Sequence, residues 1–288
     1  MKKILAIMLS LLLVAGLFAG CGNTEENKGA TEGSVEGATE APTDAATEAP
    51  TEAPTEAEAE LKTVTPGKLT MATNAFFPPY EYYEGEEIVG IDAEIAAAIA
   101  EKLGLELVIS NMEFNSIITA VTTGAADFGL AGMTVTEDRL LEVDFSTSYA
   151  KGVQAIIVKE GSAITSYDDL AAEGAAYKIG VQLGTTGDIY ASDEFGELVT
   201  QYDNGNQAVL ALQAGDVDCV IIDNEPAKAF VAANEGLVVL ESTYADEDYA
   251  ACFAQDNDAL REAVNAAIEE LIMDGTIDAI IEKYIPAN

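Results

Sequence analysis

Residues 68–104 read KLTMATNAFFPPYEYYEGEEIVGIDAEIAAAIAEKLG, and this stretch decides the fold. The apolar and β-branched residues of 68–73 predict a strand, and the paired prolines that follow predict an exposed aromatic loop at 74–82. Residues 92–103 repeat apolar side chains at helical spacing and stop at Gly104, which is typical of a helix with a C-terminal glycine. A strand, a loop and a helix in this order predict one half of a βαβ unit.

The same alternation of strand and helix continues through the rest of the chain. Asn115 is predicted to cap a helix that ends at Gly124, and Ser166 has capping-box spacing to Asp169. A break at Gly275 divides the last apolar pattern, residues 258–284, into two helices. Further strands are predicted at 105–109, 127–131, 153–158, 178–181 and 217–222. The pattern predicts two α/β halves with mainly parallel sheets.

The composition excludes several classes of function. The 288 residues include 51 acidic and 13 basic side chains, no histidine and no tryptophan, for a net charge of −38. Nucleic acid is excluded as a partner because its phosphates require a basic surface. Without histidine, neither a Ser-His-Asp triad nor an imidazole zinc site can form. With 49% hydrophobic residues, the chain has ample material for a buried core.

The N-terminus has the pattern of a lipoprotein signal peptide. Residues 1–20 begin with Lys2 and Lys3 and continue with an apolar run that is too short for an ordinary membrane span. The sequence LFAGC, which ends at Cys21, resembles the lipobox of bacterial lipoproteins, although Phe18 stands where leucine is most common. A lipid on Cys21 is therefore expected to anchor the protein. The alternative is ordinary signal cleavage beside a chance cysteine.

Residues 21–60 are predicted to form a disordered tether that starts at the lipid anchor. After Cys21 the segment consists mainly of threonine, glutamate, alanine, proline and glycine, with near-repeats of TEAP at Thr39, Thr47 and Thr51. No apolar face is available to stack one repeat on the next. Charge repulsion and prolines keep such a segment extended, to at most roughly 130 Å for the residues after the anchor.

Cysteines and acidic clusters in the folded region have simple interpretations. Cys219 and Cys252 lie in apolar strand patterns, so each is most simply a small buried hydrophobic residue, with a disulfide as the second interpretation. The acidic clusters at 137–138, 168–169 and 246–248 are interpreted as solvated faces or turns. The stretch 256–258 lacks the glycine and the later glutamate of a calcium loop, so no metal is expected.

Two loops of the first half follow predicted strands. The aromatic side chains at 76, 77 and 80 either face a ligand or cover the edge of their own domain. The second loop contains Gly132, which allows close backbone approach, Thr134, which offers a hydroxyl group, and Arg139. The guanidinium group of Arg139 suits a carboxylate, or else it forms a surface ion pair with Glu142.

Two further loops occur in the second half. Residues 178–188, KIGVQLGTTGD, predict a strand, a glycine-rich turn and the start of a helix, where free N–H groups favour an anion. The Lys-Ser/Thr pair of a phosphate loop is absent, and the glycine spacing does not fit a dinucleotide loop. A carboxylate remains as the anion, with a plain turn as the alternative. Asp223 ends the next strand, where it either accepts hydrogen bonds from an ammonium group or caps the following helix.

Together, these loops resemble those of the extracytoplasmic solute-binding proteins of polar amino-acid ABC importers, the family-3 type. The resemblance covers residues 68–284 and rests on four segments: TNAFFPPYEYYEGEEIVGIDAEIAAAIAEKLG, GLAGMTVTEDRLLEVDFSTSYA, KIGVQLGTTGD and GDVDCVIIDNEPAKAF. It implies a two-lobed periplasmic-binding-protein-like fold with a two-strand hinge. Residues 61–149 plus 250–288 would form lobe 1, and residues 150–249 would form lobe 2.

The resemblance also implies a role for each matching residue. Phe77 and Phe114 would be aromatic walls with Tyr80 close by, and Gly132 and Thr134 would supply backbone or hydroxyl contacts. Arg139 would hold the α-carboxylate with Thr185 and Thr186, and Asp223 would accept from the α-ammonium. Gln182 would touch the ligand side chain. Many members have aspartate at the position of Asn74, so the asparagine here weakens any inference of a cationic ligand side chain.

The function implied by the resemblance is a lipid-anchored receptor at the outer face of the bacterial cell membrane. It would capture a free polar L-amino acid between its lobes and deliver it to an ABC permease and its ATPase. We expect a monomer with no cofactor and no catalytic residues. Two alternatives stay open: an amino-acid sensor that does not transport, and a cyclic dehydratase-type enzyme on the same fold.

Overall fold

The computed structural model describes residues 61–240 and 245–286. The predicted signal peptide, Cys21 and the tether lie outside this part of the chain. Among the described residues, no helix combines the length and the apolar character that crossing a membrane requires.

Strands and helices alternate along the described chain. The strands are β1 (Lys68–Thr73), β2 (Phe76–Phe77), β3 (Glu81–Glu84), β4 (Glu87–Val89), β5 (Glu106–Asn111), β6 (Phe128–Gly129), β7 (Val143–Phe145), β8 (Ala150–Lys159), β9 (Ile179–Gln182), β10 (Val199–Tyr202), β11 (Cys219–Asp223), β12 (Leu237–Leu240), β13 (Asp246–Tyr249) and β14 (Cys252–Ala254). The helices are α1 (Ile91–Lys102), α2 (Ile117–Thr122), α3 (Glu137–Leu140), α4 (Tyr167–Ala171), α5 (Thr186–Phe195), α6 (Gly205–Ala214), α7 (Asn224–Ala233), α8 (Asp258–Met273) and α9 (Thr276–Tyr284). Short 3₁₀ turns cover Phe114–Ser116 and Gly196–Leu198.

The first sheet has the strand order β5-β1-β6-β14-β7. Strand β1 pairs in parallel with β5 and β6, whereas β14 is antiparallel to β6 and β7. Its core includes the apolar faces of α1 and α8, with Ile95, Ile99 and Leu260 completely buried. A three-stranded hairpin sheet, β2-β3-β4, is formed by the aromatic loop and the residues after it.

The second sheet has the order β10-β9-β11-β8-β12, and β13 pairs with another part of β8. Strand β9 is parallel to β10 and β11, whereas β8 runs antiparallel to its neighbours. Parallel pairing therefore joins the βα units, and the antiparallel strands lie where the chain changes sheets. The chain leaves the first sheet before β8 and returns after β13, and these two strands form the hinge of a two-lobed α/β fold.

Most of the predicted elements are confirmed. Helix α1 ends just before Gly104, which has the positive φ of 65° that a glycine adopts easily, and Gly275 separates α8 from α9. The capping box of Ser166 and Asp169 is present at the start of α4. The predicted cap at Asn115 is wrong, because Asn115 lies inside a 3₁₀ turn and the α-helix begins at Ile117.

Both cysteines of the described region are free thiols. Each is completely buried, Cys219 among apolar side chains of the second sheet and Cys252 among those of the first. Burial raises the pKa of each thiol to about 12, so both stay protonated near neutral pH. The interpretation as small buried hydrophobic residues is confirmed, and the structure contains no disulfide between them.

Candidate functional site

A cavity with about 400 Å³ of space free of protein atoms lies between the two sheets. Its walls come from loops and helix starts that follow β1, β5, β6, β9 and β11, together with side chains of the hinge strands. The carboxyl ends of parallel strands are the usual ligand side of such sheets. Ten of the eleven ligand residues expected from the sequence line this cavity: Asn74, Phe77, Phe114, Gly132, Thr134, Arg139, Gln182, Thr185, Thr186 and Asp223.

Tyr80 is the eleventh residue, and it lies behind the cavity wall. Its side chain is 2% exposed, stacks on Phe77 with ring centres 5.7 Å apart, and meets the ring of Tyr249 edge-on at 5.3 Å. Tyr80 therefore supports the aromatic wall and does not line the cavity. The neighbouring Phe76 is partly exposed and packs against Tyr83. Of the three loop aromatics, Phe77 lines the cavity, whereas Phe76 and Tyr80 pack against other aromatic side chains of the hairpin and hinge.

Arg139 turns inward from α3. Thr136 caps this helix by accepting a hydrogen bond from the Arg139 backbone N–H group at 3.2 Å. The guanidinium group is buried, donates to the carbonyl oxygens of Thr134 at 2.6 Å and Gly184 at 3.0 Å, and lies 5.4 Å from the ring centre of Phe114. Burial lowers the pKa of Arg139 from its ordinary value.

The alternative interpretation of Arg139, a surface ion pair with Glu142, is wrong. Within the described residues, the guanidinium group of Arg139 makes no ion pair with any carboxylate. The other arginine, Arg261, is the surface residue of the two, and it pairs with Asp144 and Asp258. A buried guanidinium group that donates only to neutral carbonyl oxygens keeps its positive charge unbalanced and can therefore bind an anion.

Helix α5 directs its N-terminus at the same cavity. Thr185 caps the helix, because its hydroxyl oxygen accepts from the Asp188 N–H group at 3.3 Å and its hydroxyl group donates to the Gln182 carbonyl oxygen at 2.8 Å. The hydroxyl oxygens of Thr186 and Thr134 lie 3.5 Å apart, from opposite sheets. The free N–H groups of the helix start and its dipole add to the positive potential of Arg139.

Asp223 has the capping role that its position in the sequence suggested, and it also lines the cavity. It caps α7 through the Glu225 N–H group at 3.4 Å, it lines the cavity, and it accepts a hydrogen bond from the hydroxyl group of Tyr249. Burial, together with the nearby charge of Glu247, raises the pKa of Asp223 to about 7, although its hydrogen bonds act in the opposite direction. An incoming ammonium group would stabilise the ionised form.

Asn74 and Gln182 meet across the cavity. The Gln182 Nε2 atom donates to the Asn74 Oδ1 atom at 3.0 Å, while the Asn74 Nδ2 atom donates to the carbonyl oxygen of Met112 at 2.7 Å. Both the oxygen and the nitrogen of the Asn74 amide therefore already have hydrogen-bond partners within the protein.

Glu81 is a cavity residue that sequence reasoning missed. Strands β2 and β3 pair Phe77 with Glu81, so the two side chains share one face of the hairpin and both line the cavity. Glu81 is completely buried, and as a carboxylate neither of its oxygens has a hydrogen-bond donor. Burial raises the pKa of Glu81 well above its ordinary value, and the adjacent carboxyl group of Asp92 raises it further.

The hinge strands supply three more polar residues to the cavity. Glu247 and Tyr249 alternate with exposed residues along β13, and Gln154 lies on β8. The Gln154 Nε2 atom donates to the Glu247 Oε2 atom at 3.0 Å, and the other Glu247 oxygen has no hydrogen-bond donor. The interpretation of 246–248 as a solvated cluster is therefore wrong for Glu247, which is buried, although Asp246 and Asp248 are exposed.

Two apolar lining residues were missed as well, Ala131 after β6 and Ile222 at the end of β11. Each adjoins a residue that was predicted, Gly132 and Asp223 respectively. Gly132 has φ of 51°, and a Cβ atom there would come within 2.8 Å of the Phe77 ring, so a side chain would displace the aromatic wall. Its N–H group donates to Asp92 at 2.7 Å.

The site thus has one buried cation, a helix N-terminus on the opposite side, and several buried carboxyl groups. Two facing α/β sheets with such a cavity and a hinge of two strands define the class of two-lobed solute receptors. Residues 69–287 match the family model of bacterial extracellular solute-binding proteins, family 3, and the chain belongs to this family.

Similar proteins come from several sources. The arginine-binding extracellular protein ArtP of Bacillus subtilis is 32% identical over 223 residues, which are 75% of this chain and 86% of ArtP. Among solved structures, the P235GK mutant of ArgBP from T. maritima is 36% identical, with a TM-score of 0.72 over 77% of this chain and 96% of ArgBP. An ancestral arginine-binding protein bound to glutamine is 38% identical, with a TM-score of 0.72 over 77% of this chain and 99% of the ancestral protein.

The family makes this chain an extracytoplasmic solute-binding protein and not an enzyme. It also supports an amino-acid ligand and partnership with an ABC transporter. The suggested dehydratase activity is therefore wrong.

Proposed function

We propose that this protein captures a free cationic L-amino acid, with L-arginine as the best fit, and delivers it to an ABC permease. The observation that carries the proposal is Glu81, a completely buried carboxyl group that lines the cavity and has no donor for either oxygen. A buried carboxylate without a partner is costly, and a guanidinium or ammonium group of the ligand would remove that cost.

The α-carboxylate of the ligand is assigned to Arg139 and the start of α5. Arg139 presents a buried guanidinium group, and Thr185 and Thr186 add N–H and hydroxyl groups from the other sheet. A planar guanidinium group favours a carboxylate in bidentate fashion. One anion held from both sides would favour the closed arrangement of the lobes.

The α-ammonium group is assigned to Asp223. The Tyr249 hydroxyl group donates to one carboxylate oxygen and the α7 backbone donates to the other, which orients the group toward the cavity. An ammonium group would balance the negative charge of the buried Asp223 carboxylate. Arg139 and Asp223 together therefore match the two charges of any amino-acid zwitterion, and they do not select its side chain.

The side chain is assigned to the part of the cavity bounded by Phe77, Phe114 and Glu81. The charge of a ligand guanidinium group would be met by Glu81 and by the faces of the aromatic rings. In the sequence, the asparagine at position 74 weakened the inference of a cationic ligand side chain. Its amide is occupied by Gln182 and Met112, and the acidic group occurs at Glu81 instead.

Charge balance supports the same assignment. Four carboxyl groups are buried at or directly behind the cavity, those of Glu81, Asp92, Asp223 and Glu247, against one buried guanidinium group. A cationic ligand side chain would allow one more of these carboxyl groups to ionise, whereas a neutral side chain adds no charge to balance it. Relatives named for arginine, such as ArtP, agree with a cationic ligand, and the ancestral protein bound to glutamine makes glutamine the main competitor.

Transport requires that the receptor open and close near the membrane. We assign residues 61–149 and 250–288 to lobe 1 and residues 150–249 to lobe 2, in agreement with the strand membership of the two sheets. Ligand contacts on both lobes would shift the equilibrium toward the closed form, which docks on the permease. A lipid on Cys21 and the tether of residues 22–60 would hold the receptor at the outer face of the membrane.

The test is a calorimetric comparison of L-arginine with L-citrulline, its neutral counterpart of equal length, with L-lysine and L-glutamine alongside. We expect arginine to bind about 10- to 100-fold more tightly than citrulline, the size expected for a charge-assisted hydrogen bond. Glu81→Gln should remove most of this preference. Glu84→Gln, on the exposed end of the same strand, is the matched control. Tighter binding of glutamine than of arginine to the unaltered protein would refute the assignment of the ligand.

A further inference from the structure

Glu81 and Asp92 form a buried pair of carboxyl groups at the junction of β3 and α1. The backbone brings them together, because the N–H groups of Ile91 and Asp92 donate to the carbonyl oxygens of Pro79 at 3.1 Å and Tyr80 at 2.9 Å. Gly90 permits this approach, since a Cβ atom at its φ of 124° would lie 2.2 Å from the Tyr80 oxygen. Both carboxyl groups are completely buried.

The two members of the pair have different surroundings. The Asp92 Oδ2 atom accepts from the Gly132 N–H group at 2.7 Å and from the Tyr149 hydroxyl group at 2.9 Å, while Asp92 Oδ1 has no donor. Glu81 has no donor on either oxygen and is the member that lines the cavity. The two groups can hydrogen-bond to each other only when one carries a proton.

No basic side chain of the described residues acts on the pair. The titratable groups that face it are the two carboxyl groups themselves, Tyr149 of the segment before β8, and Tyr80 of the hairpin. Both tyrosines are buried, and burial raises the pKa of each above its ordinary value, so neither carries a charge near neutral pH. Two adjacent carboxylates without a cation repel each other, and a shared proton removes the repulsion.

We propose that Asp92 is a positioning residue for side-chain specificity: the Glu81–Asp92 pair holds one proton while the cavity is empty and releases it to solvent when a cationic ligand side chain enters. This inference rests on the proposed function, because it assigns a mechanism to the same subsite. The incoming guanidinium group replaces the proton as the positive charge beside Glu81, and the net charge of the subsite is conserved.

A neutral ligand side chain would bind while the Glu81–Asp92 pair keeps its proton. With the proton kept on Glu81, the carboxyl group can donate a hydrogen bond to the carbonyl oxygen of a ureido or amide group. Arginine binding therefore releases one proton more than citrulline binding does. The α-ammonium group is common to both ligands, so any proton released by Asp223 cancels in the comparison. Burial raises the pKa of Asp92 to about 6 and that of Glu81 well above its ordinary value, so the pair can hold one proton near neutral pH.

The experiment counts protons by titration calorimetry of the full-length protein in two buffers that differ in their heat of ionisation. L-Arginine and L-citrulline are each titrated at several values between about pH 5.5 and pH 7.5. We expect arginine to release up to about one proton more than citrulline. The ratio of the arginine affinity to the citrulline affinity should fall by up to about tenfold per pH unit as the solution becomes more acidic.

Glu81→Gln removes the group that carries the proton, so the additional proton release should disappear. Asp92→Asn keeps an oxygen for the Gly132 and Tyr149 donors and removes the adjacent carboxyl group that favours the proton on Glu81, so the additional proton release should decrease. A role of Asp92 in packing alone would change the affinities and leave the difference in proton count intact. Arginine binding with the same proton count as citrulline overturns the inference and leaves the proposed function standing. Failure of the unaltered protein to bind arginine overturns both.

Discussion

Gln182 on the second sheet donates a hydrogen bond to Asn74 on the first, at 3.0 Å and across 108 positions of sequence. The contact joins the ends of β9 and β1 over the cavity. Together with the 3.0 Å bond from Arg139 to the Gly184 carbonyl oxygen, it gives the closed arrangement stabilising contacts of its own.

Asn74→Ala should weaken closure. The loss of one hydrogen bond of about 1 kcal/mol would speed ligand dissociation by roughly fivefold, measured by stopped-flow fluorescence. The radius of gyration of the ligand-free protein should increase in small-angle scattering. Asn234→Ala is the matched control, because the Asn234 side-chain amide donates to the Phe230 carbonyl oxygen at the end of α7, away from the contact between the sheets. An unchanged dissociation rate in the Asn74 variant would show that the contact does not contribute to closure.

Arg139→Ala should abolish high-affinity binding of amino acids. Removal of the buried guanidinium group leaves the ligand carboxylate without its main partner, at a cost of about 3 kcal/mol or more, which is roughly 100-fold in affinity. Calorimetry measures the loss, and circular dichroism checks the fold. Arg261→Ala removes a surface arginine and serves as the control. Near-normal affinity in the Arg139 variant would contradict the assignment of the carboxylate.

Binding of the α-ammonium group should depend on pH through Asp223. Burial raises the pKa of Asp223 to about 7 in the empty protein, so the group must lose a proton before it can accept an ammonium group. The affinity for arginine relative to 5-guanidinopentanoate, which lacks the α-amino group, should fall about tenfold from about pH 8 to about pH 6. The comparison cancels effects at Glu81, because both ligands carry the same guanidinium group.

Asp223→Asn should remove that dependence and weaken arginine far more than 5-guanidinopentanoate. Glu225→Gln changes a carboxyl group two residues away that pairs with Lys228, and it should leave the ratio of affinities unchanged. Equal losses for both ligands in the Asp223 variant would exclude its role as the ammonium acceptor.

Cys21→Ala should release the protein from the membrane. Lipidation of this cysteine is the proposed anchor, and a signal peptide that is cleaved without acylation leaves no hydrophobic attachment. Fractionation and immunoblotting measure the change, with Cys219→Ala as the control for loss of a thiol outside the signal region. Retention of the Cys21 variant in the membrane fraction would contradict the anchor.

The sequence predicted the strands and helices well because apolar periodicity and glycine stops are local signals. The local pattern left the roles of Phe77, Arg139 and Asp223 open, and the family resemblance assigned them to a ligand site; all three line the cavity. The antiparallel course of β8 was not predictable in this way. Its pairing with β11, β12 and β13 depends on residues distant in sequence.

The missed polar residues share a different cause. The position of Glu81 in the cavity could not be predicted, because the direction of its side chain follows from its pairing with Phe77. Composition does not determine the register of a hairpin. Glu247 was hidden between two exposed aspartates, and only the alternation along β13 separates it from them. In both cases the available signal was the alternation of side chains along a strand. It places Glu81, opposite Phe77, and Glu247, two residues before Tyr249, on the inner face.

Phe77 packs against the hydrophobic cluster of each sheet. Opening of the cleft must therefore expose apolar surface of the protein as well as the cavity. Ligand-induced closure should then carry a negative heat-capacity change larger than the apolar surface of the ligand alone can produce. In thermodynamic terms, recognition of a small polar solute by this receptor resembles a partial folding reaction.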